Sequence, residues 1–211
     1  MSPAREDAAT TATLEAILRG RDDVADAAAQ AVERAVASAR ALGLTDVSYA
    51  FEPSPVGELL VAVTPRGLIR LAYNAHEHAD SVLEELARKV SPRVVEAPAA
   101  LDEVRRELDE YFAGKRTAFD IPIDWRLHEG FGRRVLRATA RIPFGKVLTY
   151  GEVAAKAGSP RGSRAAGNAL GSNRIPIVVP CHRVVRSGGQ IGGYTGGVER
   201  KEYLLELEGV R

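Results

Sequence analysis

Hydrophobic and polar residues follow three successive patterns along this chain. Residues 10 to 42 are rich in alanine and other strong helix formers, and glycine and aspartate residues at 20 to 23 predict a break between two helices. The second helix should run from about Val24 to Leu42 and end at Gly43, because its apolar residues recur at helical spacing. Core packing or a partner surface explains such a face better than catalysis does. We therefore assign no chemistry to this segment.

From residue 46 the pattern becomes that of short strands and helices. Three strands are predicted first, at 47–51, 58–64 and 68–73, the last two joined as a hairpin. Two further strands and two helices follow, with strands at 93–96 and 119–123 and helices at 79–90 and 101–113, before a helix at 130–141 that belongs to the next segment. Strands and helices that alternate in this way indicate a compact α/β domain, and we expect it to span residues 46–124.

The remaining segment, 125–211, is mainly helical. Thr149 and Glu152 match a capping box, so a short helix should begin at Tyr150. Ser159 and Pro160 predict the cap and first position of the next helix, which should end near Leu170. Two short helices around a tight turn predict a helix-turn-helix, or a winged-helix-like DNA-binding architecture. The expected chain therefore has a helical extension of unknown role (1–45), an α/β domain and a mainly α domain.

Charge is distributed unevenly between the two halves of the chain. Residues 126–211 contain 15 Lys and Arg against 6 Asp and Glu, a net charge of +9, although the whole chain carries only +1. Such a basic half is typical of a domain that binds a polyanion, but uneven solubilising charge explains it equally well. No apolar run approaches the roughly 20 residues of a membrane span, and the first residues lack a signal-peptide pattern, so we expect a cytoplasmic, nucleoid-associated protein.

The only cysteine, Cys181, ends an apolar run that is typical of a strand, and it is followed directly by His182 and Arg183. A thiol becomes a strong nucleophile only as the thiolate, and a neighbouring base or cation is the usual way to favour that form. A lone cysteine among Ile and Val is, however, more often a small buried hydrophobe. One cysteine also excludes an intramolecular disulfide and a multi-cysteine zinc cluster.

Motifs around this cysteine favour the nucleophile. The sequence reads Pro-Cys-His-Arg-Val at 180–184, with Asn173 upstream and Gly-Tyr-Thr-Gly-Gly at 193–197. This set resembles the O6-alkylguanine-DNA alkyltransferase family, over roughly residues 47–209. Members of that family reverse DNA damage by moving an alkyl group from guanine O6 to their own cysteine. The resemblance implies that activity here, with a single turnover on duplex DNA and O4-alkylthymine as a secondary substrate.

The resemblance also implies roles for individual side chains. Cys181 would be the acceptor, His182 its base through a bridging water, and Glu208 the group that orients that histidine. Asn173 would brace the turn before the active-site strand. Tyr150 would help to turn out the nucleotide and donate a proton to the departing guanine. The product is a thioether, which is not readily hydrolysed, so neither a metal nor an organic cofactor is expected.

The second helix of the pair is made almost entirely of small residues, which suits close approach to DNA but is also explained by tight packing within a domain. The resemblance places this helix in the minor groove, with little sequence specificity, and makes Arg164 an intercalating residue. We expect further DNA contacts from this helix at Ser163, Ala165 and Ala169. The guanine pocket is expected to involve Val184, Tyr194, Thr195 and Gly196. The protein is expected to be a monomer that does not contact a membrane, with cooperative binding on DNA left open.

Two positions depart from the family pattern. Arg174 stands where relatives often carry proline, which predicts a less rigid turn, and Thr195 occupies a position that influences tolerance of bulky alkyl groups. A lesion-binding protein and a Cys-His hydrolase are the alternatives to an alkyltransferase. Lesion-binding relatives lack the cysteine, so Cys181 argues against a pure binding role. A Cys-His hydrolase would need an oxyanion hole and would show multiple turnover.

Overall fold

A computed structural model describes residues 23–210, apart from residues 25, 40 and 74. The chain divides between Leu44 and Thr45 into two compact units. In the first unit, residues 23–24, 26–39 and 41 are helical, which agrees with the second predicted N-terminal helix. Its valines at positions 24 and 32 are 69% and 61% exposed. The first predicted helix lies outside the described residues.

The second unit begins with a four-stranded sheet in the order β3-β2-β1-β4. Its strands are β1 (Val47–Glu52), β2 (Leu59–Thr64), β3 (Gly67–Tyr73) and β4 (Val94–Glu96). β2 pairs antiparallel with both β1 and β3, and β4 runs parallel to β1. Every residue of β2 is buried, because apolar side chains cover both faces of this central strand. The predicted hairpin is confirmed by this pairing.

Helices cover the sheet on its two faces. Helix α1 (Ala75–Lys89) packs Val82 and Leu86 against one face of the sheet, where they meet Leu60 and Ile69. Helix α2 (Asp102–Phe112) lies in the larger core, which also contains apolar residues of the C-terminal helices. One continuous core therefore joins the sheet to the C-terminal segment, and this positions the site described below.

The C-terminal segment contains four helices and a pair of two-residue strands. The helices are α3 (Gly130–Thr139), α4 (Tyr150–Lys156), α5 (Ser163–Gly171) and α6 (Val198–Leu207). The parallel strands are β5 (Leu148–Thr149) and β6 (Val184–Val185). Within the described residues, no helix is both long enough and apolar enough to cross a membrane. The fold matches the predicted α/β domain followed by a mainly α domain.

Three predicted elements differ from the structure. The expected strand at 119–123 is reduced to one bridge between Ile123 and Leu68, and Pro122 next to it has no N–H to extend the ladder. Helix α5 begins at Ser163 rather than Pro160, because residues 159–162 form a turn closed by the Gly162 N–H on the Ser159 carbonyl at 2.9 Å. The expected strand before the cysteine is instead a series of turns.

Those turns place Ile177 in a rare backbone conformation. Its φ is +72°, in the left-handed region that β-branched residues seldom adopt. Short hydrogen bonds hold the turns together, from the Val178 N–H to the Pro176 carbonyl and from the Val179 N–H to the Ile175 carbonyl, both at 2.9 Å. Apolar periodicity alone does not distinguish such buried turns from a buried strand.

Candidate active site

The helix pair α4 and α5 is positioned by its caps and by its small residues. The predicted capping box is confirmed: the Thr149 hydroxyl accepts from the Glu152 N–H at 3.2 Å, and the Glu152 carboxylate accepts from the Thr149 N–H at 2.6 Å. Gly167 of α5 faces the Tyr150 ring, and a Cβ added there would lie 3.7 Å from ring carbons. This close packing of two helices supports the predicted helix-turn-helix.

Cys181 begins a 3-10 turn that ends at Arg183. The cysteine is only 5% exposed, and its sulfur accepts a hydrogen bond from the Asn173 side-chain amide at 3.1 Å. The same amide group donates to the Val179 carbonyl at 2.9 Å, while its oxygen accepts from the Ile175 N–H at 3.0 Å. Asn173 therefore ties both ends of the preceding turns to the sulfur.

Glu208 forms a buried network behind the cysteine. One carboxylate oxygen accepts from the Tyr111 hydroxyl at 2.7 Å and lies 2.8 Å from His182 Nε2. The other accepts from Arg183 Nε at 2.8 Å. Burial alone would raise the pKa of Glu208, but the hydrogen bonds of His182 and Arg183 lower it to about 2. An ionised Glu208 requires the proton to be on His182 Nε2, which leaves Nδ1 as the basic nitrogen.

His182 itself is fully buried. Burial lowers its pKa, although Glu208 acts in the opposite direction, so the ring is neutral and able to accept a proton. Its Nδ1 has no hydrogen-bond partner among the described protein atoms. A neutral imidazole with a free lone pair and a carboxylate behind it is the arrangement of a general base.

A cleft of about 1010 Å³ connects the helix pair to the cysteine. Tyr150 and Arg164 line it from the helix pair, while Tyr194 and Thr195 line it from the loop after β6. Cys181 also lines this cleft. Burial raises the pKa of its thiol to about 11, although Asn173, Lys201 and Tyr194 lower it. The thiol is thus protonated at rest and needs a base before it can act as a nucleophile.

Some predicted site residues lie elsewhere. Ala169 is 8% exposed and belongs to the core, so it does not lie on the open side of α5, whereas Ser163 and Ala165 are exposed there. Val184 is buried, and its carbonyl accepts a hydrogen bond from Lys201 Nζ at 2.5 Å. Gly196 packs against the Tyr73 ring and is not among the residues that line the cleft.

Sequence reasoning missed several residues that shape the site. Lys201 is fully buried, donates to the Ile191 carbonyl at 2.6 Å, and has its pKa lowered by burial to about 8. A signal for it existed, because Lys201, Leu204, Leu205 and Glu208 recur at helical spacing on one stripe. Tyr111 contacts Glu208 and Tyr73 contacts Tyr194 through long-range folding, so neither residue has a local signal. Arg183 was noted beside Cys181, but its ion pair with Glu208 also depends on long-range folding.

Fold and site together define a helix-turn-helix protein with a cysteine at the end of a cleft beside the helix pair. Two family models match the chain. One, described as 6-O-methylguanine DNA methyltransferase, ribonuclease-like domain, covers residues 47–125, and the other, the DNA binding domain of the same methyltransferase, covers 130–210. The chain belongs to the 6-O-methylguanine DNA methyltransferase family, which confirms the resemblance seen in the sequence.

Individual relatives agree with this assignment. A methylated-DNA–protein-cysteine methyltransferase of Methanosarcina acetivorans is 37% identical over 161 residues, 76% of this chain and 97% of that protein. The crystal structure of Mycobacterium tuberculosis O6-methylguanine methyltransferase has a TM-score of 0.66 at 37% identity, over 77% of this chain and 92% of that one. A crystal structure of Mycobacterium tuberculosis OGT in complex with DNA has a TM-score of 0.64 at 36% identity, over 76% of this chain and 92% of that one.

Proposed function

We propose that this protein repairs duplex DNA by direct damage reversal, transferring the alkyl group of O6-alkylguanine irreversibly to Cys181. The observation that carries the proposal is one cleft lined by Cys181, by Tyr150 and Arg164 of the helix pair, and by Tyr194. A base turned out of the duplex would enter this cleft with its O6 edge toward the sulfur. Family membership and the DNA complex of a relative support the same activity.

The proton of Cys181 needs an acceptor before transfer. We assign that role to His182 Nδ1, reached through a bridging water, with Glu208 stabilising the imidazolium that forms. The thiolate then attacks the alkyl carbon. A C–S bond forms, the C–O6 bond breaks, and its electron pair remains on the guanine. The thioether product has no hydrolytic route back to thiol, so each molecule acts once.

Tyr150 is assigned the proton that the departing guanine needs. Burial raises the pKa of this half-buried tyrosine, so it is protonated at neutral pH and can donate. Arg164 is exposed near the N-terminus of α5, where its side chain can fill the gap that a rotated nucleotide leaves. Ser163 and Ala165 are exposed beside it and would contact the minor groove, while Thr195 would influence the size of alkyl group accepted. O4-alkylthymine is the expected secondary substrate.

Residues 125–211 would bind DNA and accept the alkyl group, and residues 46–124 would support them structurally. We assign no role to residues 1–45. The excess of basic residues over acidic ones in the C-terminal half favours phosphate contacts, which carry little sequence information. Such a protein would act as a monomer where genomic DNA lies, in the cytoplasm at the nucleoid. No metal or organic cofactor enters the reaction.

The mass of the protein after incubation with a duplex containing one O6-methylguanine tests this function. We expect one added methyl group, on the peptide containing Cys181, saturating at one per molecule. The control is the same duplex with unmodified guanine, which should add nothing. Cys181→Ser should abolish transfer and still bind the duplex. Transfer retained by that variant would refute the assignment, and binding without transfer by the unaltered protein would favour a lesion-binding role.

A further inference from the structure

Tyr73, the last residue of β3, contacts the loop between β6 and α6, residues 186–197, which we call the substrate loop. Its hydroxyl lies 2.7 Å from the Tyr194 hydroxyl, a hydrogen bond between residues 121 positions apart. The two rings are 6.0 Å apart between centroids, at an angle of 61°. A strand of the α/β domain thus makes a direct polar contact with a residue that lines the cleft.

Two further contacts fix the position of the Tyr73 ring. A Cβ added at Gly196 would lie 2.5 Å from a ring carbon of Tyr73, so the loop approaches the ring more closely than any larger residue would permit. The Arg200 guanidinium lies over the Tyr73 ring, 5.0 Å from its centroid. Arg200 is itself held by the Val56 and Gly196 carbonyls, each at 2.7 Å. Tyr73 therefore presents its hydroxyl to Tyr194 in a defined place.

Tyr194 connects this contact to the reacting sulfur. It lines the cleft together with Cys181, and its ring lies edge-on to His182 with centroids 6.4 Å apart. Burial raises the pKa of the Cys181 thiol, and Tyr194 is one of the groups that act in the opposite direction. Burial raises the pKa of both Tyr73 and Tyr194, so both hydroxyls keep their protons.

A tyrosine hydroxyl has one proton to donate. If Tyr194 donated to Tyr73, its proton would point away from Cys181. If Tyr73 donates, the Tyr194 proton is free to point at the sulfur, where a charge-assisted hydrogen bond forms once the thiolate appears. The arrangement in which Tyr73 donates to Tyr194 therefore becomes the more stable one as negative charge develops on the sulfur.

We propose that Tyr73 is a positioning residue for the alkyl transfer, donating to the Tyr194 hydroxyl so that Tyr194 donates to the Cys181 thiolate. This inference rests on the function proposed above, since it concerns the nucleophile of that reaction. The α/β domain then takes part in the chemistry through one hydroxyl. The other groups that act on the thiol or are affected by it are Asn173, whose amide donates to the sulfur, Lys201 of α6 and Tyr150 of α4.

Tyr73→Phe tests the relay because it removes the hydroxyl and keeps the ring that contacts Gly196 and Arg200. We expect the midpoint of Cys181 alkylation by iodoacetamide to move to higher pH, with a rate at neutral pH that is about three- to tenfold lower. Methyl transfer from a duplex with one O6-methylguanine should slow by a similar factor at unchanged DNA affinity. Tyr203→Phe, the same deletion at a tyrosine 36% exposed on α6, is the matched control and should leave both rates unchanged.

A double variant separates a relay from a general loss of packing. Tyr194→Phe should shift the iodoacetamide midpoint upward on its own, and adding Tyr73→Phe should then change nothing more. Should Tyr73→Phe fail to fold, an unchanged midpoint in Tyr194→Phe would still overturn the relay. An unchanged midpoint in either single variant, or additive shifts in the double variant, would overturn the relay. Failure of the unaltered protein to accept a methyl group would instead refute the proposed function, because the iodoacetamide midpoints do not depend on it.

Discussion

Replacing Glu208 with glutamine is a demanding test of the buried network behind the cysteine. The change keeps the shape of the side chain and removes its charge. It leaves Arg183 and His182 without the carboxylate that each now contacts at 2.8 Å. Glu208 is only 4% exposed, so water cannot replace those contacts. A buried cation that loses its partner is strongly destabilising.

The magnitude follows from the ionisation of Glu208. Burial opposes the charged form, yet the pKa falls from 4.5 to about 2 because His182 and Arg183 stabilise the carboxylate. Each pKa unit corresponds to about 1.4 kcal/mol, so ionisation of Glu208 contributes about 3 kcal/mol to the free energy of unfolding. For a lowered pKa this contribution is fully present above the unfolded value of 4.5 and is lost as the pH falls toward 2. In a chain of this size, the loss of this contribution in Glu208→Gln corresponds to a melting temperature roughly 6 to 12 °C lower at neutral pH.

Urea unfolding at pH 7 and at about pH 3.5 measures this effect. The free energy of unfolding should differ between the unaltered protein and Glu208→Gln, and this difference should be about 1 kcal/mol smaller at the lower pH. Glu206→Gln is the matched control, because that residue is exposed in the last turn of α6, two positions before Glu208. Methyl transfer by Glu208→Gln should also slow by about tenfold or more, since His182 loses the group that fixes its tautomer. A Glu208→Gln protein within about 0.5 kcal/mol of the unaltered one at pH 7, or a difference that does not narrow with acid, would refute this reasoning.

Two further substitutions and a change of salt concentration give measurable outcomes. Asn173→Ala leaves the buried Val179 carbonyl and Ile175 N–H without their partner, so we expect about 2 kcal/mol or more of destabilisation by urea unfolding and a raised thiol pKa. Gly196→Ala places a Cβ against Tyr73 and should cost about 1 to 3 kcal/mol, visible as a lower melting temperature. Duplex binding, followed by fluorescence anisotropy, should weaken about tenfold or more between roughly 50 and 200 mM salt, and a flat salt response would contradict phosphate-dominated binding.

Local sequence signals predicted much of this fold. Alternating apolar residues located the strands of the sheet, and the Thr149–Glu152 pair located the start of α4 within one residue. These features depend on neighbours a few positions apart, which a sequence displays directly. The motif at Cys181 and His182 was equally local, and the structure places both residues in one short turn at the cleft.

Long-range contacts account for what the sequence did not predict. A glutamate near a C-terminus is normally solvated, yet Tyr111 and Arg183 enclose Glu208 from distant parts of the chain. Similarly, the run of apolar residues before Cys181 has the composition of a strand. It forms turns instead because Asn173 binds the backbone at Ile175 and Val179, a tertiary preference that overrides local propensity.

The arginine at position 174 shows how a tertiary contact can replace a local one. Proline at this place would stiffen the turn by restricting the backbone, and its absence predicts a looser turn. In the structure the Arg174 side chain instead forms an ion pair with Glu85 of α1 at 2.8 Å, and its carbonyl accepts from the Leu71 N–H of β3 at 2.8 Å. An ion pair with one partner 31% exposed contributes only about 1 kcal/mol at most, so the backbone hydrogen bond matters at least as much. The turn that carries Asn173 toward Cys181 is thus held by the sheet of the α/β domain, the same domain from which Tyr73 contacts the substrate loop. Because both supports come from residues 46–124, the acceptor site of this protein is built by two domains, although every residue assigned to the chemistry itself lies in one.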